Sequence, residues 1–267
     1  MGNFVLGKYI PLNSPVHRLD PRAKIIAMLA FLIAVFIPAG WIGYAVLFVI
    51  AAGTILLSRL SFGFIWKSMK PMMVMMIFLF LMNCLMIRTG EVLVTLGKFS
   101  VYTGAVAQTL YIVVRLLLMI MITTCLTATT KPLDMTLGIE DLLMPASKIG
   151  VPAHEIAMLI SIALRFIPDL IEETMRIMKA QESRGVDMKE GRFSEKIAAI
   201  LSLIVPLFVS AFQRADDLAN AMEARGYAPG EKRTRYKVLH MRAADWLTVV
   251  GANAVLAGVI VLARILP

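Results

Sequence analysis

The sequence predicts an all-α membrane protein of about five transmembrane helices, with a cytoplasmic-side domain of long amphipathic helices inserted before the last span. Three observations carry that expectation. Of 267 residues, 59% are apolar and 17% charged, with a mean hydropathy of +0.78, too apolar for a soluble domain of this length. Apolar runs near membrane-crossing length recur through the first half of the chain and at its C-terminal end. Between about Lys131 and Asp245, by contrast, charged and apolar residues interleave at helical spacing.

The formal charge of +9 is unevenly spread. The segment from Lys131 to Asp245 holds about sixteen basic and about sixteen acidic residues, so most of the excess lies in short loops around the apolar half. There, lysine and arginine resist translocation and favour the anionic inner leaflet. This distribution argues against a nucleic-acid face. Cys84 and Cys125 lie in apolar runs without a His or Cys at ligand spacing, which points to neither a disulfide framework nor a metal site. Residues Gly2 to Asp20 hold no continuous apolar core before a cleavage site, so no removed signal peptide is expected.

Asp20, Pro21 and Arg22 open the first helix, Asp as N-cap and proline at the first helical position. Ile25 to Ile37 and Trp41 to Leu57 then form a hairpin of two spans turning at Pro38, Ala39 and Gly40. The first run is short for a bilayer that needs about 20 residues, so Pro21 to Lys24 extend it into the headgroups. Arg59, Lys67 and Lys70 mark an inside loop before a third span, Pro71 to Ile87. Met69, Met72, Met73, Met75, Met76, Met82 and Met86 crowd this stretch, either as gap-fillers in a bundle or as a deformable partner surface. Arg88 to Tyr102 is a polar loop with room for a short β-hairpin. Gly104 to Thr130 is the fourth span, and Arg115 lies inside it at an insertion cost of roughly 2.5–3.5 kcal/mol, which favours a bundle interior or a snorkelling position.

The charged segment begins with a short amphipathic piece, Asp134 to Ser147. A long helix follows from Ala153 to Arg184, with Ile156, Ile160, Ile167, Leu170 and Met175 on one face and Arg165, Asp169, Glu172, Glu173 and Lys179 on the other. A second long helix runs from Ser194 to Arg225. Its apolar half, Ile197 to Phe212, is flanked by basic residues on both sides, which disfavours a span. Trp246 to Leu266 is the last span. The chain thus divides into residues 1–130 with four spans, 131–244 as the cytoplasmic domain and 245–267 as the final span. An inside N-terminus leaves only Arg88, Lys98 and Arg264 outside, with Arg115 in the bilayer.

Each long helix ends on the pattern Ala, any residue, Glu, small, Arg, Gly: Ala180 to Gly185 and Ala221 to Gly226. Glycine stops helices in the left-handed conformation and arginine favours the negative end of the helix dipole, which accounts for Arg-Gly as plain capping. The repetition, and the small residue before each arginine, point further. Ser183 and Ala224 permit close approach, Gly185 and Gly226 stop the helix, and Arg184 and Arg225 present forked donors to a carboxylate-bearing groove. Two such plugs call for two homologous sockets. Pro168 and Pro206 interrupt the two helices as kinks or as hinges.

No catalytic chemistry is legible. His17, His154 and His240 are scattered with no HExxH pattern, and Gly97–Lys98 lacks the spacing and the following Ser or Thr of a phosphate-binding loop. No cofactor is expected. An ion-coupled secondary transporter would place ionisable residues at mid-membrane, where Arg115 is the clear candidate.

The two Arg-Gly helix ends, with the N-terminal run Tyr9, Ile10, Pro11, Ser14, Pro15, His17, Leu19, Asp20, Pro21, Arg22 and Lys24, resemble the EcfT family over nearly the whole chain. These are the transmembrane coupling subunits of energy-coupling-factor (ECF) transporters. The resemblance implies a prokaryotic cell-membrane protein with a cytoplasmic N-terminus that is not itself an enzyme. It implies two ATPase subunits docked at Arg184 and Arg225, and a separate substrate-binding membrane subunit held by bundle and helices. ATP-driven change in the angle between the long helices would topple that subunit and release its vitamin. The likeness is to the type shared among several vitamins. Ser183 departs from the family's alanine but is small, so docking is expected to survive.

Overall fold

The computed structural model describes residues 9–87, 89–96, 99–145, 152–186, 193–228 and 238–265, and these divide into two compact units. The first is a helical bundle formed by residues up to Ala157 together with those from Leu239 onward. Its elements are a 3₁₀ turn (Val16–Arg18), α1 (Pro21–Phe36), α2 (Gly40–Ser58), α3 (Phe62–Met86), β1 (Val92–Leu96), β2 (Phe99–Tyr102), α4 (Thr103–Thr129), α5 (Pro132–Leu143) and α8 (Ala243–Ile265). The second unit, Met158–Val238, holds most of α6 (Ala153–Ser183) and all of α7 (Phe193–Ala224).

α1 is the centre of the bundle. Its buried face carries Ala23, Ala27, Ala30 and Ala34, whose small side chains let α4 and α8 approach closely where lipid supplies no hydrophobic drive. Val35, Leu47, Ile55, Leu118 and Val259 fill the space around them. α3 packs along α4 and β2 and leaves Val74, Met75, Ile77 and Phe78 exposed, as a lipid-facing helix does. It starts nine residues before the expected Pro71, which sits inside the helix. β1 and β2 form the antiparallel hairpin that the polar loop has room for. Ser147, Arg88 and Lys98 lie outside the described residues.

The quoted N-terminal run builds one end of this bundle. Asp20 caps α1, accepting from the Arg22 backbone N–H at 2.9 Å and from its guanidinium at 3.0 Å. The buried Asp245 carboxylate, in the first turn of α8, accepts from the Asp20 N–H and from the Arg242 N–H, each at 2.7 Å. Lys24 donates to the Thr129 carbonyl at the last turn of α4, 3.0 Å, where the helix dipole is negative. The His17 Nε2–H donates to the Ile10 carbonyl (3.0 Å), which leaves Nδ1 to accept from the Ser14 hydroxyl (2.7 Å). Burial pushes that imidazole's pKa down. Burial opposes the Asp20 charge, but the Arg22 hydrogen bonds outweigh it and hold this carboxyl below its ordinary value.

Among the described residues five helices are long and apolar enough to cross a membrane: Gly40–Ser58, Gly63–Met86, Thr103–Thr129, Ser194–Ala224 and Ala243–Ile265. The set differs from the expected one twice, since α1 has only 16 residues and α7 qualifies. The Asp245 and Lys24 contacts gather the start of α1, the end of α4 and the start of α8 at one end of the bundle. α6, with Arg165, Asp169, Glu172, Glu173, Arg176 and Lys179, is too charged for a span.

α5 is placed by sequence with the segment 131–244 but packs with the bundle. Gly138 lets it close on α1, since an added Cβ there would meet the Pro21 Cβ at 3.1 Å, and Arg22 reaches Asp141 at 3.4 Å. Glu140, 5% exposed, meets His154 in the first turn of α6 at 2.8 Å.

Candidate functional site

α6 and α7 are continuous helices of 31 and 32 residues, with Pro168 and Pro206 inside them. Proline lacks the N–H that would bond four residues back, so each helix forgoes one internal bond there. Both helices then end in the same way. The Val186 N–H reaches back to the Gln181 carbonyl and the Gly185 N–H to Glu182, each at 3.0 Å. The Tyr227 N–H reaches Met222 at 2.9 Å and the Gly226 N–H reaches Glu223 at 2.8 Å. This doubled closure is the Schellman motif. It requires a left-handed residue, and Gly185 and Gly226 supply φ of +82° and +75°.

The closure leaves Ser183, Arg184, Gly185, Ala224, Arg225 and Gly226 exposed. Among the described residues neither Arg184 nor Arg225 joins an ion pair. The Ser183 hydroxyl donates to the Lys179 carbonyl of its own helix at 2.9 Å, so the residue presents a small surface rather than a spare donor. Both expected plugs therefore have the same backbone form and an uncommitted guanidinium. No Cβ at either glycine would meet anything within 4 Å, so the reason for glycine is conformational.

The two helices are linked by a contact that sequence reading passed over. Arg214 of α7 reaches Glu173 at 3.1 Å and Asp169 at 3.7 Å on α6. Asp169 and Glu173 stand one turn apart on the polar face, which was the available signal. Eleven residues separate Glu173 from Arg184, and eleven separate Arg214 from Arg225. Each arginine thus lies about 16 Å of helix beyond the link.

Among the described residues no group of three or more His, Cys, Asp or Glu side chains is placed to hold an ion. An apolar cavity of about 210 Å³ lies between α1, α2 and α4. Lys24 is its one charged lining residue, and that ammonium already serves the end of α4.

Comparison with known proteins fits this geometry. Residues 12–236 match the CbiQ family, described as cobalt transport protein. The chain is 45% identical over 266 residues to the energy-coupling factor transporter transmembrane protein EcfT of Bacillus subtilis, covering 100% of this chain and 98% of that one. It is 44% identical to the EcfT of Listeria innocua over 260 residues, 97% of this chain and 98% of that one. To the EcfT of Thermosediminibacter oceani it is 42% identical over 258 residues, 97% of each chain. With a multi-pass helical bundle, paired helix ends and similarity along its full length, the chain belongs to the CbiQ family and, within it, to the EcfT proteins, the transmembrane proteins of energy-coupling factor transporters.

Proposed function

We propose that this chain is the non-catalytic coupling subunit of an ECF transporter in a prokaryotic cell membrane. It transmits the ATP-driven motion of two ATPase subunits to a separate substrate-binding membrane subunit for vitamin uptake. The observation that carries the reading is the pair of identical Schellman ends with free arginines. Two equal plugs suit two homologous sockets, and a guanidinium fork suits a carboxylate groove. The residue set is Ser183, Arg184, Gly185, Ala224, Arg225 and Gly226.

Residues 131–244 supply the cytoplasmic coupling segment, with α5 as its attachment to the bundle. Arg18, Arg22, Lys24, Arg59 and Lys131 cluster toward the end from which this segment leaves, which favours a cytoplasmic N-terminus. Pro168 stands at the middle of α6 and Pro206 near the middle of α7, and these are the positions for bending during the ATP cycle. ATP hydrolysis belongs to the partners.

Replacing Arg184 and Arg225 together by alanine tests the docking. The expected outcome is loss of the ATPase subunits on purification and loss of vitamin uptake, with the bundle still folded. Unchanged ATPase recovery and unchanged uptake in that double variant would sink the proposal.

A further inference from the structure

Arg115 stands midway along the membrane-length helix α4, and its described surroundings do not neutralise it. Its Nε and Nη2 donate to the Tyr44 hydroxyl at 3.1 and 2.9 Å, and that hydroxyl donates to the Val35 carbonyl at the end of α1. Its Cζ stands 5.9 Å from the Phe36 ring centroid. Among the described residues it joins no ion pair. No buried side-chain nitrogen or oxygen there lacks a partner, so Nη1, which makes no hydrogen bond, is not sealed inside the protein.

The height of this group is set by helix lengths. Arg115 lies fourteen residues from Thr129 and Tyr44 fourteen from Ser58, so both stand about 21 Å above the end of the bundle where Lys24 and Asp245 sit. α1, at 16 residues, turns back into α2 after only about 24 Å. The hydrocarbon core is about 30 Å thick, and a short element is met by local thinning of the bilayer. Around the turn stand Trp41, 48% exposed, and Tyr111, whose ring meets Trp41 edge-on at 4.7 Å and Tyr44 at 5.0 Å. Such amphipathic rings sit at headgroup level.

We propose that Arg115, with Trp41 and Tyr111, binds the phosphate of a phospholipid in the leaflet on the α1–α2 turn side, drawn inward over the short hairpin. Tyr44 holds the guanidinium by one edge and leaves Nη1 for the phosphate oxygen, a charge-assisted bond in a poorly hydrated setting. The occupant is a lipid because the group lies below the ordinary headgroup plane and opens beside lipid-facing aromatics, where a free anion has no tail to bring it.

The test uses the full chain, alone and assembled with its transporter partners, in nanodiscs. The probe is phosphatidylglycerol with a photoreactive group near the top of one acyl chain, and adducts are mapped by peptide mass spectrometry. The matched control is diacylglycerol with the same photoreactive chain. Adducts are expected on the peptides around Trp41–Tyr44 and Tyr111–Arg115, reduced about tenfold in Arg115→Gln and with diacylglycerol, the worth of one charge-assisted bond. Arg115→Lys keeps most of them, which separates lost charge from a misfolded Gln variant. Equal yields with diacylglycerol, or in Arg115→Gln, would overturn the proposal. So would displacement by excess soluble glycerophosphate, which would mark a free-anion site, or disappearance of the adducts on assembly, which would mark a protein interface.

Discussion

Asp245 joins the starts of two parallel helices, and its removal has a magnitude that can be worked out. It is 2% exposed, and its two oxygens accept from Asp20 and Arg242 N–H groups at 2.7 Å each. Hydrogen bonds to a charged group are worth about 1.5–3 kcal/mol each, and a carboxylate at a helix start adds about 0.3–1 kcal/mol. Water can replace the acceptor at the exposed Arg242 but not at the buried Asp20, so the lower end of the sum applies. Asp245→Ala should then cost about 3 kcal/mol. For a chain of this size that is a fall of about 6–12 °C in Tm, read by thermal unfolding in mild detergent. Asp245→Asn keeps one acceptor oxygen and should lose about half as much. A shift under about 2 °C for Asp245→Ala, or a larger loss for Asn than for Ala, would refute the reasoning.

Four further outcomes follow from the same contacts. Arg214→Ala breaks a part-exposed ion pair worth at most about 1 kcal/mol, so Tm should barely move while vitamin uptake per ATP hydrolysed falls. The charge swap of Arg214 and Glu173 should restore that ratio. Gly185→Ala and Gly226→Ala place a Cβ at left-handed φ at about 1–2 kcal/mol each and should weaken ATPase recovery, with Asn tolerated better. Ser183→Ala removes a hydroxyl bonded only within its own helix, so co-purification of the ATPases should be unchanged. His17 is held neutral, so its contribution is full above the unfolded value of 6.5 and is lost as pH falls through its lower folded pKa. The Tm gap between the wild type and His17→Ala should therefore narrow on acidification below neutral pH, and a gap that widened would contradict the tautomer assigned here.

Much of this molecule is legible in its residues because helices are local. The bounds of α6 and α7 fall within a residue of the expected ones, since both have strong amphipathic periodicity and a glycine stop. The start of α3 differs from the expected one because Pro71 reads as a boundary, whereas a helix in a bundle tolerates an interior proline. Span identity was harder. Length and apolarity alone select α7 over α1, whereas the long-range contacts of Asp20 with Asp245 and Lys24 with Thr129 gather the starts of α1 and α8 and the end of α4 at one end of the bundle. Those contacts join residues 225 and 105 positions apart and carry no periodic signal. Arg115 has a partner, the Tyr44 hydroxyl, that no charge-pairing search finds. For the proposed docking residues, the repeated Ala-x-Glu-small-Arg-Gly pattern exposed the two helix ends, while the Arg214 link between the helices needed the fold.

The measurement that bears most directly on the coupling role is site-specific photo-crosslinking from positions 183 and 224 in native membranes, with captured proteins identified by mass spectrometry. The account predicts that each position captures an ATPase subunit, one homologue at each helix end. Capture of no ATPase at either position, with the protein folded and uptake intact, would contradict it.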